Sequence, residues 1–259
     1  FAIGYTEPGA GSDLAGLQTR AVRDGDDWVI NGQKLWTSAA HMSSHVWMLA
    51  RTDQRAPKHR GISVFIVPLD APGVTVRPIH IIHGGRTNEV FFENVVVPGY
   101  ALIGEENRGW YIAANALDVE RVSIGGSLIA RKTYEKLLDH LRTKAPERLA
   151  DRATRLRLAE KKLELQNQRA IATKNASIVA GGQIPNMEAS IAKVLGSELR
   201  YALSSTGMDV SGRAGALVAG DELAPAGGAI WHEYLLTPQY RFGGGTNEVQ
   251  RNIIAQRGL

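Results

Sequence analysis

The sequence predicts an α+β protein: a region of short strands, then an antiparallel helical bundle, with the change near residue 105. Three observations carry this. Residues 17 to about 98 alternate with a period near two and are broken by Gly, Pro and Asn-Gly. From about Arg108 onward the apolar residues recur every three to four positions. Over all 259 residues, 44% hydrophobic and 22% charged content is ordinary for a globular protein and excludes disorder or a fibrous repeat.

The elements follow in order. Leu17-Gln18-Thr19-Arg20-Ala21-Val22 leads through the turn signal Asp24-Gly25-Asp26 into Trp28-Val29-Ile30. Asn31-Gly32 reads as a second hairpin-type turn, since both residues tolerate positive φ. His45 to Ala50 and Gly61 to Val67 are β-branched or aromatic runs, and Val74 to Arg77 and Val90 to Phe92 follow. Many short strands with frequent turns indicate a small barrel or sandwich. Trp110, Ala113, Ala114, Leu117, Arg121 and Ile124 then fall near one helical stripe. A long charged helix is expected from about Glu147 to Val179, with Leu156, Leu163 and Ile171 as its apolar marks. Met187, Ile191, Val194, Leu195, Leu199 and Ala202 form another apolar face, with Pro185-Asn186 as its start signal. A last helix is expected from Asn247 to about Gln256.

There is no cysteine, which removes disulfides, thiolate nucleophiles and Cys-based metal sites. No apolar run reaches the roughly 18 residues of a membrane span. Phe1-Ala2-Ile3-Gly4-Tyr5 has no basic stretch of a secretory signal, so the expected location is cytoplasmic. A start without Met, directly in a Gly-rich segment, suggests the continuation of a longer chain. Net charge is +4, and residues 131–174 hold thirteen Lys and Arg against six acids. Such a run is a solvated helix face or an anionic contact; without interleaved aromatics it does not indicate nucleic acid. His41 and His45 have helical metal spacing but no third ligand, and His80 and His83 read as surface or packing residues, so no metal is expected.

Three segments can carry chemistry. Thr6-Glu7-Pro8-Gly9-Ala10-Gly11-Ser12-Asp13 is a small-residue loop that lets backbone N–H groups approach a ligand, or simply a loop. Lys34-Leu35-Trp36-Thr37-Ser38-Ala39 sets an aromatic face beside hydroxyls, which suits a planar heterocycle; alone, a Trp such as Trp36 is more often a core residue. Gly243-Gly244-Gly245 leads into a helix capped by Thr246 or Asn247, with Glu248 in its first turn, where free amides can hold an anionic or carbonyl group.

In this order, these segments resemble the acyl-CoA dehydrogenase family of flavoproteins. Residues 6–13 are similar to its signature loop, and Asn31-Gly32-Gln33-Lys34-Leu35-Trp36-Thr37-Ser38 to its second signature. Val95-Val96-Val97-Pro98 and Gly104 to Trp110 are similar to its link from barrel to helices, and Gly245 to Arg251 to its closing motif. The resemblance implies an antiparallel β-barrel middle domain (1–105) and an antiparallel four-helix-type bundle (106–259), without the family's N-terminal helical domain. It implies FAD as cofactor and α,β-dehydrogenation of an acyl-CoA thioester to a trans-2-enoyl-CoA, by a carboxylate base and hydride transfer to the flavin. Electron-transfer flavoprotein is the implied acceptor.

By the same resemblance, Tyr5, Thr6, Trp36, Ser38, Thr246 and Glu248 bind FAD, and Ser12 lies toward CoA. Many members carry the base just before the Gly-Thr of the closing motif; here that position is Gly244. Isovaleryl and long-chain members place it in a Glu-Arg pair on an earlier helix, which Glu120-Arg121 resembles. Glu120 is therefore the expected base, with Arg121 and Gly244 lining the substrate pocket. A structural pairing of Glu120 with Arg121 or Arg131 is the alternative. The family's Arg…Phe-Gly segment is absent after Thr133-Tyr134-Glu135, and Val210 to Gly215 departs from its Gly-Gly motif. This leaves a homo-oligomer or a heterotetramer of the kind that acts on bulky, sterol-like acyl-CoA, in which the chain is either the catalytic or a non-catalytic subunit. Related oxidase, nitroalkane or acyl-carrier chemistry is a third reading.

Overall fold

The computed structural model describes residues 1–124 and 128–258, with backbone only at 122–124. It divides into two compact units, residues 1–116 and 117–259.

The first unit is built on one sheet of eight strands: β1 (Ala2–Gly4), β2 (Arg20–Asp24), β3 (Asp27–Lys34), β4 (His45–Arg51), β5 (Ile62–Pro68), β6 (Val74–His80), β7 (Arg86–Pro98) and β8 (Leu102–Ile103). The order is β6-β7-β3-β2-β4-β5-β8, and β1 pairs in parallel with the start of β4. The expected α+β architecture is present, but the sheet is open between β6 and β8 rather than a closed barrel. β5 is buried at Ile62, Ser63, Val64 and Phe65 in succession, as a strand covered on both faces must be. β6 is largely exposed and carries Pro78, which suits an edge that need not donate a ladder bond. The core centres on Trp28, Ile30, Met48, Phe65 and Phe92, with the Trp28 and Phe65 rings edge-on at 5.4 Å.

Asn31-Gly32 is not a turn. β3 runs through it, and the register against β7 shifts between Ile30 and Gly32. A Cβ on Gly32 would meet Thr19 backbone at 2.6 Å, so glycine here serves close strand approach at a bulge. The Asn31 side chain accepts the Asn94 N–H at 2.9 Å, which stabilises the irregularity.

Helix α1 (Gly109–Ile124) spans residue 116; Ala113 and Arg121 on its expected stripe are buried, while the Ile124 side chain lies outside the described residues. α2 (Leu128–Lys144), α3 (Pro146–Ala150), α4 (Arg152–Ala180), α5 (Met187–Ser211), α6 (Ala229–Phe242) and α7 (Asn247–Gly258) complete the bundle. The long charged helix is thus two elements: Asp151 breaks it and caps α4 by accepting the Thr154 N–H at 2.7 Å. Leu156 and Leu163 are 54% and 61% exposed, and Leu158 and Leu165 are the residues that enter the core. Leu195 is likewise exposed, while Val194 and Leu199 are buried. α5 is buried around most of its circumference. Gly207 lets α6 approach it; a Cβ there would meet Ile230 Cγ2 at 2.8 Å. No helix among the described residues is long and apolar enough to cross a membrane.

Candidate active site

In the first unit the signature loop is fixed from beneath by a buried ion pair. Lys34 Nζ lies 2.7 Å from Glu7 Oε1, and Glu7 also accepts the Gln18 and Thr19 N–H groups at 2.5 and 3.0 Å. Burial alone would push the Glu7 carboxyl up, but Lys34 and these donors outweigh it and hold it below the usual range. Burial brings Lys34 down from 10.5 to about 8, against the pull of Glu7. Lys34 also donates to the Tyr5 carbonyl at 3.3 Å, and Leu35 N–H to the Thr6 carbonyl at 2.8 Å. The Tyr5 hydroxyl accepts the Trp47 Nε1–H at 2.8 Å. Tyr5 and Thr6 are therefore held rigidly against the second signature.

Beyond this anchor the loop turns back through reciprocal Glu7 and Ala10 backbone bonds, and Ser12 is exposed. Gly9 and Gly11 have neither a left-handed φ nor any atom within 4 Å of a would-be Cβ. Nothing in the chain demands glycine at either position, so their bare backbone is suited to a ligand's close approach.

Trp36 is not a core residue. It is 53% exposed and sits at φ 58°, with Ala39 at φ 61°. Left-handed conformations in two non-glycine residues cost about 1 kcal/mol or more each and cluster where a site is preorganised. Asn88 secures the segment by donating to the Thr37 carbonyl at 2.8 Å. The Thr37 hydroxyl is buried without a hydrogen-bond partner, and the exposed Ser38 hydroxyl lies 3.5 Å from that of Thr87. An aromatic face held outward beside hydroxyls fits a flat polar heterocycle.

In the second unit, Glu120 is half-buried near the end of α1. Burial raises its carboxyl above the usual range, and the neighbouring Arg121 charge partly opposes this. Arg121 itself is buried: Nη1 lies 2.5 Å from Asp118 Oδ1, and Nε donates to the Gly244 carbonyl at 3.2 Å. Arg131 pairs with Glu135 at 3.6 Å. Each of these two cations contacts another carboxylate, and the Arg121 charge also acts on Glu120.

Gly244 and Gly245 have φ of 69° and 88°, which favours glycine at both. Gln250 Nε2 also donates to the Gly244 carbonyl, at 3.1 Å. Thr246, not Asn247, caps α7: its hydroxyl accepts the Val249 N–H at 3.2 Å. Asn247 is buried and accepts from Lys193 Nζ at 2.8 Å and Ser197 Oγ at 3.1 Å. Glu248 is exposed; its own backbone N–H holds its carboxyl below the usual range, with help from Thr246, Arg251 and Arg241. Glycines followed by a capped helix start suit an anionic or carbonyl group.

Sequence reasoning assigned no role to Glu7, Lys34, Asp118 or Lys193, and read Asn186 only as a helix-start signal. Each works by a contact far along the chain, and only the polar character of the residue hinted at it. A surface cavity of about 460 Å³ lined by Gln18, Arg20, Asn31, Gly32, Arg51 and Gln54 includes none of the expected site residues. Its Arg51 donates to the Ala15, Leu17, Lys58 and Arg60 carbonyls and is structural.

Residues 2–95 match the acyl-CoA dehydrogenase middle domain, and residues 107–259 the acyl-CoA dehydrogenase C-terminal domain. The chain belongs to the acyl-CoA dehydrogenase family, oxidoreductases acting on CH–CH bonds whose members are FAD flavoproteins. Acyl-CoA dehydrogenase FadE26 of Mycobacterium tuberculosis is 39% identical over all of this chain and 67% of its own length. The solved Tcur3481-Tcur3483 steroid ACAD matches with TM-score 0.94 and 36% identity, over all of this chain and 67% of its own. The ChsE4-ChsE5 complex of M. tuberculosis matches with TM-score 0.90 and 37% identity, over 100% and 68%. The chain thus spans about two thirds of the length of each of these three.

Proposed function

We propose that the protein is an FAD-dependent acyl-CoA dehydrogenase that converts an acyl-CoA thioester to its trans-2-enoyl-CoA, with Glu120 as the base. The observation that carries this is the Arg121 Nε bond to the Gly244 carbonyl, 3.2 Å. It ties the end of α1 to the closing loop, the two places where the family's carboxylate occurs. At one stands a left-handed glycine; at the other stands a carboxylate whose proton affinity burial has raised.

Glu120 takes the α proton on a carboxylate oxygen. A raised proton affinity brings that oxygen nearer to what removing a carbon-bound proton requires. Trp36, Ser38, Tyr5, Thr6, Thr246 and Glu248 are the residues that would hold FAD, and the left-handed Trp36 segment preorganises the aromatic face. The residues fit: an exposed indole at Trp36, the exposed Ser38, bare Gly9 and Gly11, and a capped helix start. FAD, when bound, supplies the acceptor for the hydride from the β carbon. Ser12 lies in the segment assigned to CoA, and electron-transfer flavoprotein is the proposed acceptor.

The proposed substrate is bulky and sterol-like, and the proposed assembly is a heteromer with a second family chain. The likeness to the Tcur3481-Tcur3483 steroid ACAD supports the first, and the likeness to the ChsE4-ChsE5 complex supports the second. The missing Phe-Gly segment supports the heteromer further. In the deciding experiment, Glu120→Gln keeps its flavin spectrum but no longer bleaches on anaerobic addition of substrate, a loss of at least about a hundredfold in rate. Retained bleaching would overturn the assignment of the base. Native mass measurement of a stable, FAD-saturated homotetramer would overturn the heteromer.

A further inference from the structure

Arg121 follows Glu120 directly on α1 and is the cation that acts on it. Its guanidinium is nevertheless committed elsewhere. Long side chains on a helix lean toward its N-terminus and meet the residue three or four positions earlier. Arg121 does so, reaching Asp118 at 2.5 Å and the Gly244 carbonyl at 3.2 Å. Asp118 is held in turn by Asn186, whose Nδ2 donates to its second oxygen at 2.8 Å. Asn186 occupies the residue before α5, from which an Asn commonly caps its own helix, yet it makes no cap bond. Its amide serves Asp118 instead. The Arg121 and Asp118 side chains are only 9% and 13% exposed, so solvent screens their interaction weakly. Lys193 on α5 repels Arg121, and Glu248, Arg241 and Arg251 act around Lys193.

We propose that Asp118 is a positioning residue for the dehydrogenation: it holds the Arg121 guanidinium at its own carboxylate and at the Gly244 carbonyl, so that this cation is drawn less to Glu120 and Glu120 remains a strong enough base. This rests on the reading of Glu120 as the base. A cation drawn to a carboxylate favours its ionised form and weakens it as a proton acceptor. Asp118 and Gly244 compete with Glu120 for that cation, one with a charge and one with a carbonyl.

The test is Asp118→Asn in the intact, FAD-loaded protein, a nearly isosteric change that removes the charge. The acid limb of the flavin-bleaching rate moves down by about one pH unit, and the plateau rate falls about tenfold. Independently of turnover, the protonated-carboxyl infrared band that Glu120→Gln lacks appears only at a pH lower by the same amount. In an Arg121→Gln background, Asp118→Asn moves neither the limb nor the band, because its effect passes through Arg121. A lower rate with limb and band unmoved overturns the proposal, as does a shift that persists without Arg121. If Glu120→Gln retains bleaching, the base assignment falls and this proposal with it; if Glu120→Gln loses bleaching while limb and band stay unmoved in Asp118→Asn, only the role of Asp118 falls. Should Asp118→Asn fail to fold, Asn186→Ala, which removes one of its two donors, gives a smaller shift in the same direction.

Discussion

Each unit contains a lysine with no exposed surface, and the two are held in opposite ways. Lys34 faces a carboxylate, Glu7, and a carbonyl, Tyr5. Lys193 donates to two neutral groups, the Arg241 carbonyl at 3.1 Å and the Asn247 side chain at 2.8 Å. Burial brings both down from 10.5 to about 8. Both tether a glycine-containing loop: Lys34 pins the signature loop to β3, and Lys193 joins the end of α6 to the start of α7 across Gly243-Gly244-Gly245. The first solution adds a counter-charge that must also be buried. The second uses the carbonyl-rich end of a helix, where the backbone dipole already favours a cation.

The largest expected contrast is between Lys34→Met and Lys193→Met. Lys34→Met leaves the Glu7 carboxylate buried without its cation and is expected to cost about 3–5 kcal/mol. Lys193→Met leaves only neutral acceptors, one of them still bonded to Ser197, and is expected to cost about 1–3 kcal/mol. Urea unfolding of both variants measures the difference, and equal losses would break the comparison.

A smaller effect separates the loops themselves. The first unit places the non-glycine Trp36 in a left-handed conformation, whereas the second uses Gly244. Gly244→Ala is expected to cost about 1 kcal/mol through its φ alone, and Gly244→Glu in a Glu120→Gln background should not restore flavin bleaching, because its carbonyl and φ are fixed by Arg121 and Gln250. Restored bleaching would show that this loop can still present a base.

The smallest effect is in pH. Between about 8 and 10.5 each lysine is neutral when folded and charged when unfolded. The unfolded state then binds more protons, so each contributes stability that rises with pH across that window. Comparing urea midpoints at pH 8 and 10 for the protein and its Met variants isolates that rise, which each Met variant should reduce.

Much of the candidate site was legible because its signals are local. The Gly-rich loop, the Trp36 segment, the Gly244 departure and the Glu120-Arg121 pair are each readable within ten residues. The errors arose where local chemistry was overruled. Asn31-Gly32 favours a hairpin in isolation, but β7 pairs along the whole of β3 and turns it into a bulge. Leu156 and Leu163 looked like the buried stripe of one long helix. Asp151 starts α4 afresh, and the phase that packs is Leu158 with Leu165.

The sequence by itself determined the order of the two units, the family and the residues available for chemistry, because periodicity, turn residues and motifs are written in adjacent positions. Only the tertiary structure decided which of those residues are held and by what. Glu7 meets Lys34 across 27 positions, Asn186 meets Asp118 across 68, and Arg121 meets Gly244 across 123. Such contacts depend on strand register and helix packing, and the free energy that selects them is distributed over the whole core rather than carried by any local stretch of chain.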